Sequence, residues 1–320
     1  MKKILAILSL VLMLGTTAVG NAAEYKRNIT VAQDGSGDYK TITEALEGIR
    51  AFMDYTVTVN IKNGVYREKV VVPAWLENVE FIGESVEETI ITWNDHANIN
   101  KMGTFRTYTL KVDGTDLVFR NLTIENNAEQ LGQAVALHTE GDRLTFINCR
   151  FLGNQDTIYT GGKRTRLYFS NCYVEGTTDF IFGPATALFE NCEIRSKRDS
   201  FVTAASTPED VPVGYVFYNC RLTADAGVTK VYLGRPWRPY AHTVFIDCEM
   251  GEHITAAGWE NWRNPENEKT ARYGEIGSTG PGAAQDGRVK WARSISRAEA
   301  AALLDYNYIF TTADRWIPVK

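Results

Sequence analysis

Two aspartates occupy matching positions in neighbouring copies of a short repeat. Residues 146–151, FINCRF, are echoed by residues 169–174, FSNCYV, and an aspartate follows the cysteine of each copy by seven positions (Asp156 and Asp179). If each copy is one coil of a stacked structure, the two coils lie about 4.8 Å apart. Two carboxyl groups held that closely cannot both ionise freely. One would keep a raised pKa and act as an acid, and the other would remain an anionic nucleophile or base.

Amide and guanidinium groups could complete such a site. Gln155 directly precedes the first aspartate, and Gln133 lies one coil earlier. Neutral amides can donate hydrogen bonds to a developing oxyanion. Such residues also satisfy backbone groups in the turns of stacked coils, but their clustering in register with two acids favours function. In residues 231–237, VYLGRPW, Arg235 stands between Gly and Pro and could clamp a carboxylate, and Trp237 offers a flat face for a sugar. Taken alone, this motif is equally typical of a surface turn.

The elements that would position these residues form a repeat. One template, apolar-Phe-x-Asn/Asp-Cys/Leu-x-apolar, fits six segments whose Asn or Asp positions are 20 to 28 residues apart: 118–124, 145–151, 168–174, 188–194, 216–222 and 244–250. A period in this range is the signature of a solenoid. Because each copy reads as a strand with no helical periodicity, the sequence predicts an all-β, stacked β-helix. A β-sandwich also has many short strands, but it does not predict one motif recurring six times.

Both ends of the repeat carry helix signals. Residues 41–44, TITE, have capping-box spacing and predict a helix through about Arg50. Residues 296–299, SRAE, predict a second helix through about Leu304. A polar, Gly- and Pro-containing stretch precedes it, at 254–288. We expect this stretch and the second helix to wrap the solenoid, so that residues 24–320 form one domain.

The N-terminus resembles an export signal. Lys2 and Lys3 precede a short apolar run and then small residues, which predicts a signal peptide over about 1–22 or 1–23. The run is too short for a membrane span, so we expect a secreted or periplasmic protein with no span after cleavage. Cleavage removes two lysines and no acid, which shifts the formal net charge from −5 to −7. That balance argues against nucleic acid as a partner.

Other residues with chemical potential receive simpler interpretations. All five cysteines follow Asn or Asp within strand-like segments, so they read as buried ladder residues. Free thiols and a Cys172–Cys192 disulfide both remain open. Asp199 also follows a cysteine by seven residues, but it lies in a charged loop and is interpreted as a surface residue. The four histidines lack metal-ligand spacing, and neither a G-x-S-x-G elbow nor a nucleotide fingerprint is present.

Eight segments together resemble the pectin methylesterase (pectinesterase) family. They occur in the family's order and span most of the chain: DGSGDYKTITEAL (34–46), GVYREKV (64–70), GQAVAL (132–137), GNQDTIY (153–159), VEGTTDFIFGPATALFENC (174–192), LGRPW (233–237), AGWENW (257–262) and YGEIGSTGPGA (273–283). The resemblance implies a single-stranded, right-handed parallel β-helix with short terminal helices. It also implies hydrolysis of galacturonosyl methyl esters in pectin to pectate and methanol, without a metal or an organic cofactor. We also expect the protein to be a monomer.

The resemblance further implies a role for each candidate residue. Asp179 would attack the ester carbonyl to form an aspartyl acyl-enzyme, and Asp156 would protonate the departing methanol and then activate water. The remaining roles would be an oxyanion hole from Gln133 and Gln155, orientation of the nucleophile by Arg235, and a sugar-binding wall from Trp237, Tyr159 and Phe182.

Two other functional classes remain open on the same predicted fold. A lyase or glycosidase could cleave the galacturonan backbone, since a glycosidase also uses two carboxyl groups about 5–9 Å apart. A calcium-dependent lyase would need several acids converging on one ion, whereas the acids here are accompanied by glutamines. A binding protein with purely structural ladders is the non-enzymatic alternative, and it predicts no esterase activity.

Overall fold

The computed structural model describes residues 25–310 and 314–320. The predicted signal peptide therefore lies outside the described residues. In chain order the described strands are β1 Asn28–Val31, β2 Val57–Ile61, β3 Gly64–Tyr66, β4 Val70–Val72, β5 Glu77–Gly83, β6 Thr89–Trp93, β7 Leu110–Val112, β8 Thr115–Arg120, β9 Thr123–Asn126, β10 Leu137–Thr139, β11 Leu144–Ile147, β12 Arg150–Leu152, β13 Ile158–Thr160, β14 Arg166–Ser170, β15 Tyr173–Gly176, β16 Ile181–Gly183, β17 Thr186–Glu190, β18 Glu193–Ser196, β19 Phe201–Ala205, β20 Tyr215–Tyr218, β21 Arg221–Ala224, β22 Tyr232–Gly234, β23 His242–Ile246, β24 Glu249–Met250, β25 Arg272–Ile276 and β26 Arg293–Ser294.

Short helices interrupt or follow these strands. They are α1 Ile42–Glu47, α2 Asn267–Thr270, α3 Arg297–Leu303 and α4 Tyr306–Ile309, with 3₁₀ turns at Ile99–Lys101, Thr104–Arg106 and Pro281–Ala283.

The strands stack into three parallel sheets, which confirms the predicted parallel β-helix. Sheet 1 has the order β1-β2-β5-β8-β11-β14-β17-β20-β23-β25-β26, sheet 2 the order β22-β19-β16-β13-β10-β7-β4, and sheet 3 the order β24-β21-β18-β15-β12-β9-β6-β3. In the central coils the chain passes from sheet 1 to sheet 3 to sheet 2, and then enters sheet 1 of the next coil. Each coil thus places equivalent residues beside those of its neighbours.

The repeated phenylalanines form a continuous stack through the core. Seven rings, one from each successive coil, lie nearly parallel, with centroids 4.4 to 5.0 Å apart: Phe81, Phe119, Phe146, Phe169, Phe189, Phe217 and Phe245. This spacing matches the strand separation of a sheet. The repeat therefore holds the coils in register through buried apolar contact as well as through backbone hydrogen bonds.

The residues after each phenylalanine form the turn from sheet 1 to sheet 3. The six repeat Asn or Asp residues all have φ between 50° and 56°, in the left-handed region that these side chains tolerate. The following cysteine points inward, and all five thiols are buried and free. Cys172 and Cys192 are therefore not bridged, and the alternative of a ladder of free thiols is confirmed.

Both predicted helix starts are confirmed. Thr41 caps α1 and Ser296 caps α3, and each pairs reciprocally with the glutamate three residues later. Helix α1 ends at Glu47, before the predicted Arg50, because Gly48 caps its C-terminus. Its buried face packs into the core at the N-terminal end of the solenoid. The C-terminal helices instead pack against outward-facing apolar residues of sheet 1.

The phenylalanine stack generates a stability prediction. Phe169 is fully buried between Phe146 and Phe189, whereas Phe52 is 74% exposed. We expect Phe169→Ala to lower the free energy of unfolding by about 3–5 kcal/mol, because it leaves a cavity in the stack. The matched control, Phe52→Ala, should change it by about 0.5 kcal/mol or less. Urea titration followed by circular dichroism measures both, and equal effects would contradict the assigned role of the stack.

Candidate active site

The two aspartates occupy equivalent turns that lead into neighbouring strands of sheet 2. Strand β13 pairs with β16 so that Ile158 lies beside Ile181, which places Asp156 in register with Asp179. Both have positive φ, 66° and 49°. The N–H of Asp156 donates to the carbonyl oxygen of Thr178, the neighbour of Asp179, at 3.1 Å. The side chains of 156 and 179 consequently line one cleft.

This cleft has a volume of about 240 Å³ and lies on the outer face of sheet 2. Both acids, both glutamines and the arginine that the sequence singled out are among the residues that line it: Thr104, Phe105, Gln133, Gln155, Asp156, Asp179, Phe182, Ala204, Arg235, Trp237 and Trp262. The cleft therefore combines two carboxyl groups, two neutral amides, one guanidinium and several aromatic rings.

Arg235 binds Asp179 through two parallel hydrogen bonds. Its Nε donates to Oδ1 at 2.9 Å and its Nη2 to Oδ2 at 2.6 Å. Both side chains are largely shielded from solvent, with 21% and 8% exposure. This fork geometry is a strong form of charge-assisted hydrogen bond, and it fixes the plane of the carboxylate. Burial raises the pKa of Asp179, but Arg235 opposes that rise and favours the anion.

Asp156 has a different electrostatic environment. Burial raises its pKa well above the usual range, the neighbouring charge of Asp179 raises it further, and Arg235 only partly opposes the change. No ion pair to Asp156 is formed among residues 25–310 and 314–320. The environment therefore favours the protonated form more strongly at Asp156 than at Asp179, whose anion is stabilised by Arg235. Asp156 is thus suited to act as an acid, and Asp179 is suited to act as a nucleophile.

Gln133 and Gln155 contribute amide groups to the same cleft. The N–H of Ala134, directly after Gln133, donates to the carbonyl oxygen of Gln155 at 3.0 Å, so the two glutamines come from adjacent coils. Both side chains are half-buried. Their amide N–H groups can donate to an oxygen atom bound in the cleft, without adding a charge that would change the titration of the acids.

The three predicted aromatic residues do not occupy equal positions. Phe182 and Trp237 line the cleft and contact each other edge to face at 5.8 Å. Tyr159 is one coil away, and its ring contacts that of Phe182 at 4.9 Å without itself being among the lining residues. It lies beside Phe182 on the neighbouring strand and also contacts Phe105, so it packs against two of the lining rings.

Two aromatic residues that line the cleft were not predicted from the sequence. Phe105 comes from the 3₁₀ turn Thr104–Arg106, and Trp262 from the long C-terminal loop. Trp262 could have been predicted, because it ends the AGWENW segment (257–262), one of the segments that resemble the family. Phe105 could not, because it lies outside both the repeat and the family segments.

Asp199 is exposed and outside the cleft, as the sequence predicted. Its Oδ1 accepts the backbone N–H groups of Thr229 and Lys230, each at 2.8 Å. The position equivalent to Asp179 on the next coil is taken by Phe201, because Ile181 pairs with Thr203. The segment between the cysteine and this position is two residues longer in the coil of Asp199. Asp199 therefore does not lie in register with Asp156 and Asp179.

Neither a metal-binding cluster nor a membrane-spanning helix occurs in the part of the chain that the structure describes. Between 25 and 310 and in 314–320, no group of three or more His, Cys, Asp or Glu side chains is placed to hold a metal ion. Within the same ranges, every helix is too short or too polar to cross a bilayer.

Comparison with known proteins identifies the family. The family model described as Pectinesterase matches residues 28–312. Pectinesterase 31 of Arabidopsis thaliana is 38% identical over 307 residues, which cover 92% of this chain and 96% of that protein. The structure of the pectin methylesterase from carrot is 33% identical and superposes with a TM-score of 0.84, covering 90% of this chain and 94% of the carrot chain.

A pectin methylesterase in complex with a hexasaccharide has a TM-score of 0.78 and 28% identity, with 91% of this chain and 98% of that chain covered. These similarities agree with the parallel sheets and with the cleft described above. The chain therefore belongs to the pectinesterase family and is a carboxylic ester hydrolase.

Proposed function

We propose that this protein hydrolyses the methyl esters of galacturonosyl residues in pectin through an aspartyl acyl-enzyme. The observation that carries the mechanism is the pairing of Asp179 with Arg235 beside an Asp156 that has no such partner. Family membership supports the reaction class, and the cleft supports the assignment of roles to individual residues.

The first half of the reaction transfers the acyl group to the enzyme. An oxygen of ionised Asp179 attacks the ester carbonyl carbon, and the bond from that carbon to the methoxy oxygen breaks. Protonated Asp156 gives its proton to the departing oxygen, which leaves as methanol. The product is a mixed anhydride between Asp179 and the galacturonosyl carboxyl group. Asp156 is now ionised, and the charge on Asp179 has been lost.

The second half regenerates the enzyme. Ionised Asp156 takes a proton from a water molecule, whose oxygen attacks the galacturonosyl carbonyl carbon of the anhydride. The bond to the Asp179 oxygen breaks, giving the free galacturonate carboxyl group and the Asp179 carboxylate. Arg235 then faces an anion again, and Asp156 is protonated for the next cycle. The sum is one ester and one water converted into one acid and one methanol.

Both half-reactions develop negative charge on the carbonyl oxygen. We assign the stabilisation of this charge to the side-chain amides of Gln133 and Gln155, which line the cleft next to both acids. Prepositioned donors are effective here because they need no reorganisation as the charge appears.

The walls of the cleft suit a polysaccharide. Trp237, Phe182, Trp262 and Phe105 present aromatic surface around the acids, on which sugar rings can stack. A related pectin methylesterase is known in complex with a hexasaccharide. We propose methyl-esterified homogalacturonan as the substrate. Since such a polymer lies outside the cell, we also propose that residues 1–23 direct export and that the enzyme acts as a secreted or periplasmic monomer.

A first prediction tests the nucleophile. Asp179→Ala should reduce methanol release from methylated pectin by at least about a thousandfold, because no other anion replaces the attacking oxygen. Asp199→Ala is the matched control, since Asp199 has the same spacing from its cysteine but is exposed. It should retain activity within about twofold. Substantial activity in Asp179→Ala, with circular dichroism unchanged, would show that the roles are wrongly assigned.

A second prediction concerns pH. The reaction needs Asp179 ionised and Asp156 protonated, so kcat/KM should fall at low pH as Asp179 gains a proton and at high pH as Asp156 loses one. Asp156→Asn should lower kcat by about 10²–10⁴-fold and remove the alkaline limb from the residual activity. Methanol release measured across the pH range tests this. An unchanged alkaline limb would exclude Asp156 as the acid.

The same variant has a predicted effect on stability. The folded-state pKa of Asp156 lies above its unfolded value, so ionisation of this buried group destabilises the fold once pH exceeds the unfolded pKa. Asp156→Asn should therefore have a Tm equal to or higher than that of the wild type at neutral pH. A lower Tm would attribute the loss of activity to misfolding.

A third prediction separates ester hydrolysis from cleavage of the polymer backbone. On highly esterified pectin we expect methanol to appear without new reducing ends and without unsaturated products. Adding a chelator should leave the rate of methanol release unchanged. New reducing ends would indicate a glycosidase, and unsaturated products that disappear with chelator would indicate a cation-dependent lyase.

A further inference from the structure

The guanidinium group of Arg235 lies between two aromatic rings. Its Cζ is 3.9 Å from the ring centroid of Phe201 and 3.9 Å from that of Trp262. Both distances are well within the range of cation–π attraction. The same group makes the two hydrogen bonds to Asp179, so its edge is occupied by the carboxylate and both of its faces by aromatic rings.

Phe201 continues the column of side chains that contains the two acids. Strand pairing puts it beside Asp179 on one side and beside Tyr232 on the other. The rings of Phe201 and Tyr232 stack with centroids 5.3 Å apart. One face of the Phe201 ring therefore packs on Tyr232, and the other face is the one that contacts Arg235. It is not among the residues that line the cleft.

Trp262 reaches Arg235 through an unusual backbone conformation. Its φ is 61°, and that of the following Arg263 is 55°. A bulky residue in the left-handed region is strained, and such strain persists only where the surroundings impose it. Here the carboxylate of Glu260 accepts the N–H groups of Trp262 and Arg263 at 2.8 and 3.0 Å. The bend places the indole ring over the guanidinium.

The loop that carries Trp262 is joined directly to the strand that precedes Arg235. Leu233 donates its N–H to the carbonyl oxygen of Gly258 at 2.7 Å, and Glu260 donates its N–H to that of Gly234 at 3.1 Å. The position of the indole ring is thus tied to the backbone of Arg235 rather than left to a free loop.

We propose that Phe201 and Trp262 form an aromatic clamp that positions Arg235, and that this clamp keeps the guanidinium in place while Asp179 is acylated. This inference rests on the proposed function. In the anhydride Asp179 carries no charge, so the ion pair that otherwise orients Arg235 is lost. The two π faces remain in contact with the cation, because they take no part in the reaction. Arg235 is then still aligned when the carboxylate reappears.

The clamp also bears on the titration of Asp179. The charged groups facing this carboxyl are Arg235, Asp156 on the preceding coil and Glu260 on the loop, and the phenol of Tyr273 is close enough to interact electrostatically. Among these four groups only Arg235 is a cation. If the guanidinium moves away from Asp179, burial and the neighbouring negative charges raise the pKa of this carboxyl group without opposition from a cation. The carboxyl group then becomes harder to ionise.

Phe201→Leu tests the clamp, because it removes one π face while retaining apolar volume outside the cleft. We expect kcat to fall about tenfold with little change in KM, since the loss corresponds to one cation–π contact. The acidic limb of kcat/KM should move to higher pH. Phe201→Tyr keeps the ring and should restore both values. Tyr173→Leu, which removes an aromatic face from Arg150 on sheet 3, is the matched control and should change neither.

A second measurement does not depend on turnover. Carbon-13 NMR titration of the Asp179 carboxyl in the free protein should give a higher pKa in Phe201→Leu than in the wild type. If Phe201→Leu does not fold, Trp262→Leu takes its place in this titration, with the same expected direction. An unchanged Asp179 pKa and an unchanged acidic limb would overturn the clamp. Absence of methanol release by the wild type would instead refute the proposed function, and the titration would still decide the inference.

Discussion

The backbone hydrogen bonds between successive coils are the constraint on which this structure depends. Because the coils are parallel and in register, two residues 23 positions apart in sequence become neighbours on adjacent strands. The stack of phenylalanine rings maintains the same spacing inside the solenoid. Chemistry that needs two acids side by side is thus supplied by the repeat itself, without a dedicated loop to bring them together.

Register alone would make the two acids alike, and the difference between them comes from a third coil. Arg235 follows β22, which lies two coils beyond the coil of Asp179, and its hydrogen bonds go to only one of the two carboxyl groups. Both aspartates are buried, so desolvation raises the pKa of both, but the two hydrogen bonds from Arg235 go to Asp179 alone. This asymmetry favours the anion at Asp179 and the protonated form at Asp156, although the two side chains are chemically identical.

Irregular segments supply what the repeat cannot. A solenoid presents a flat outer face, and its cleft acquires walls only where coils are lengthened or where the terminal segments fold back. Phe105 comes from such an insertion and Trp262 from the C-terminal loop. The hydrogen bonds to Glu260 hold the loop in a strained backbone conformation at Trp262, which fixes the position of this ring in the cleft wall. Regular coils hold the acids, and irregular ones surround them.

The sequence by itself determined the repeat, the β-helix, the capped helix starts and the register of the acids, because strand periodicity, capping boxes and equal spacings are local patterns. It also indicated Arg235 and both glutamines, through short motifs. It left open whether Cys172 and Cys192 are bridged, and it did not reveal Phe105 or the contact of Phe201 and Trp262 with Arg235. Those features were decided by the tertiary structure, since they depend on how coils of unequal length and an aperiodic loop pack together in space.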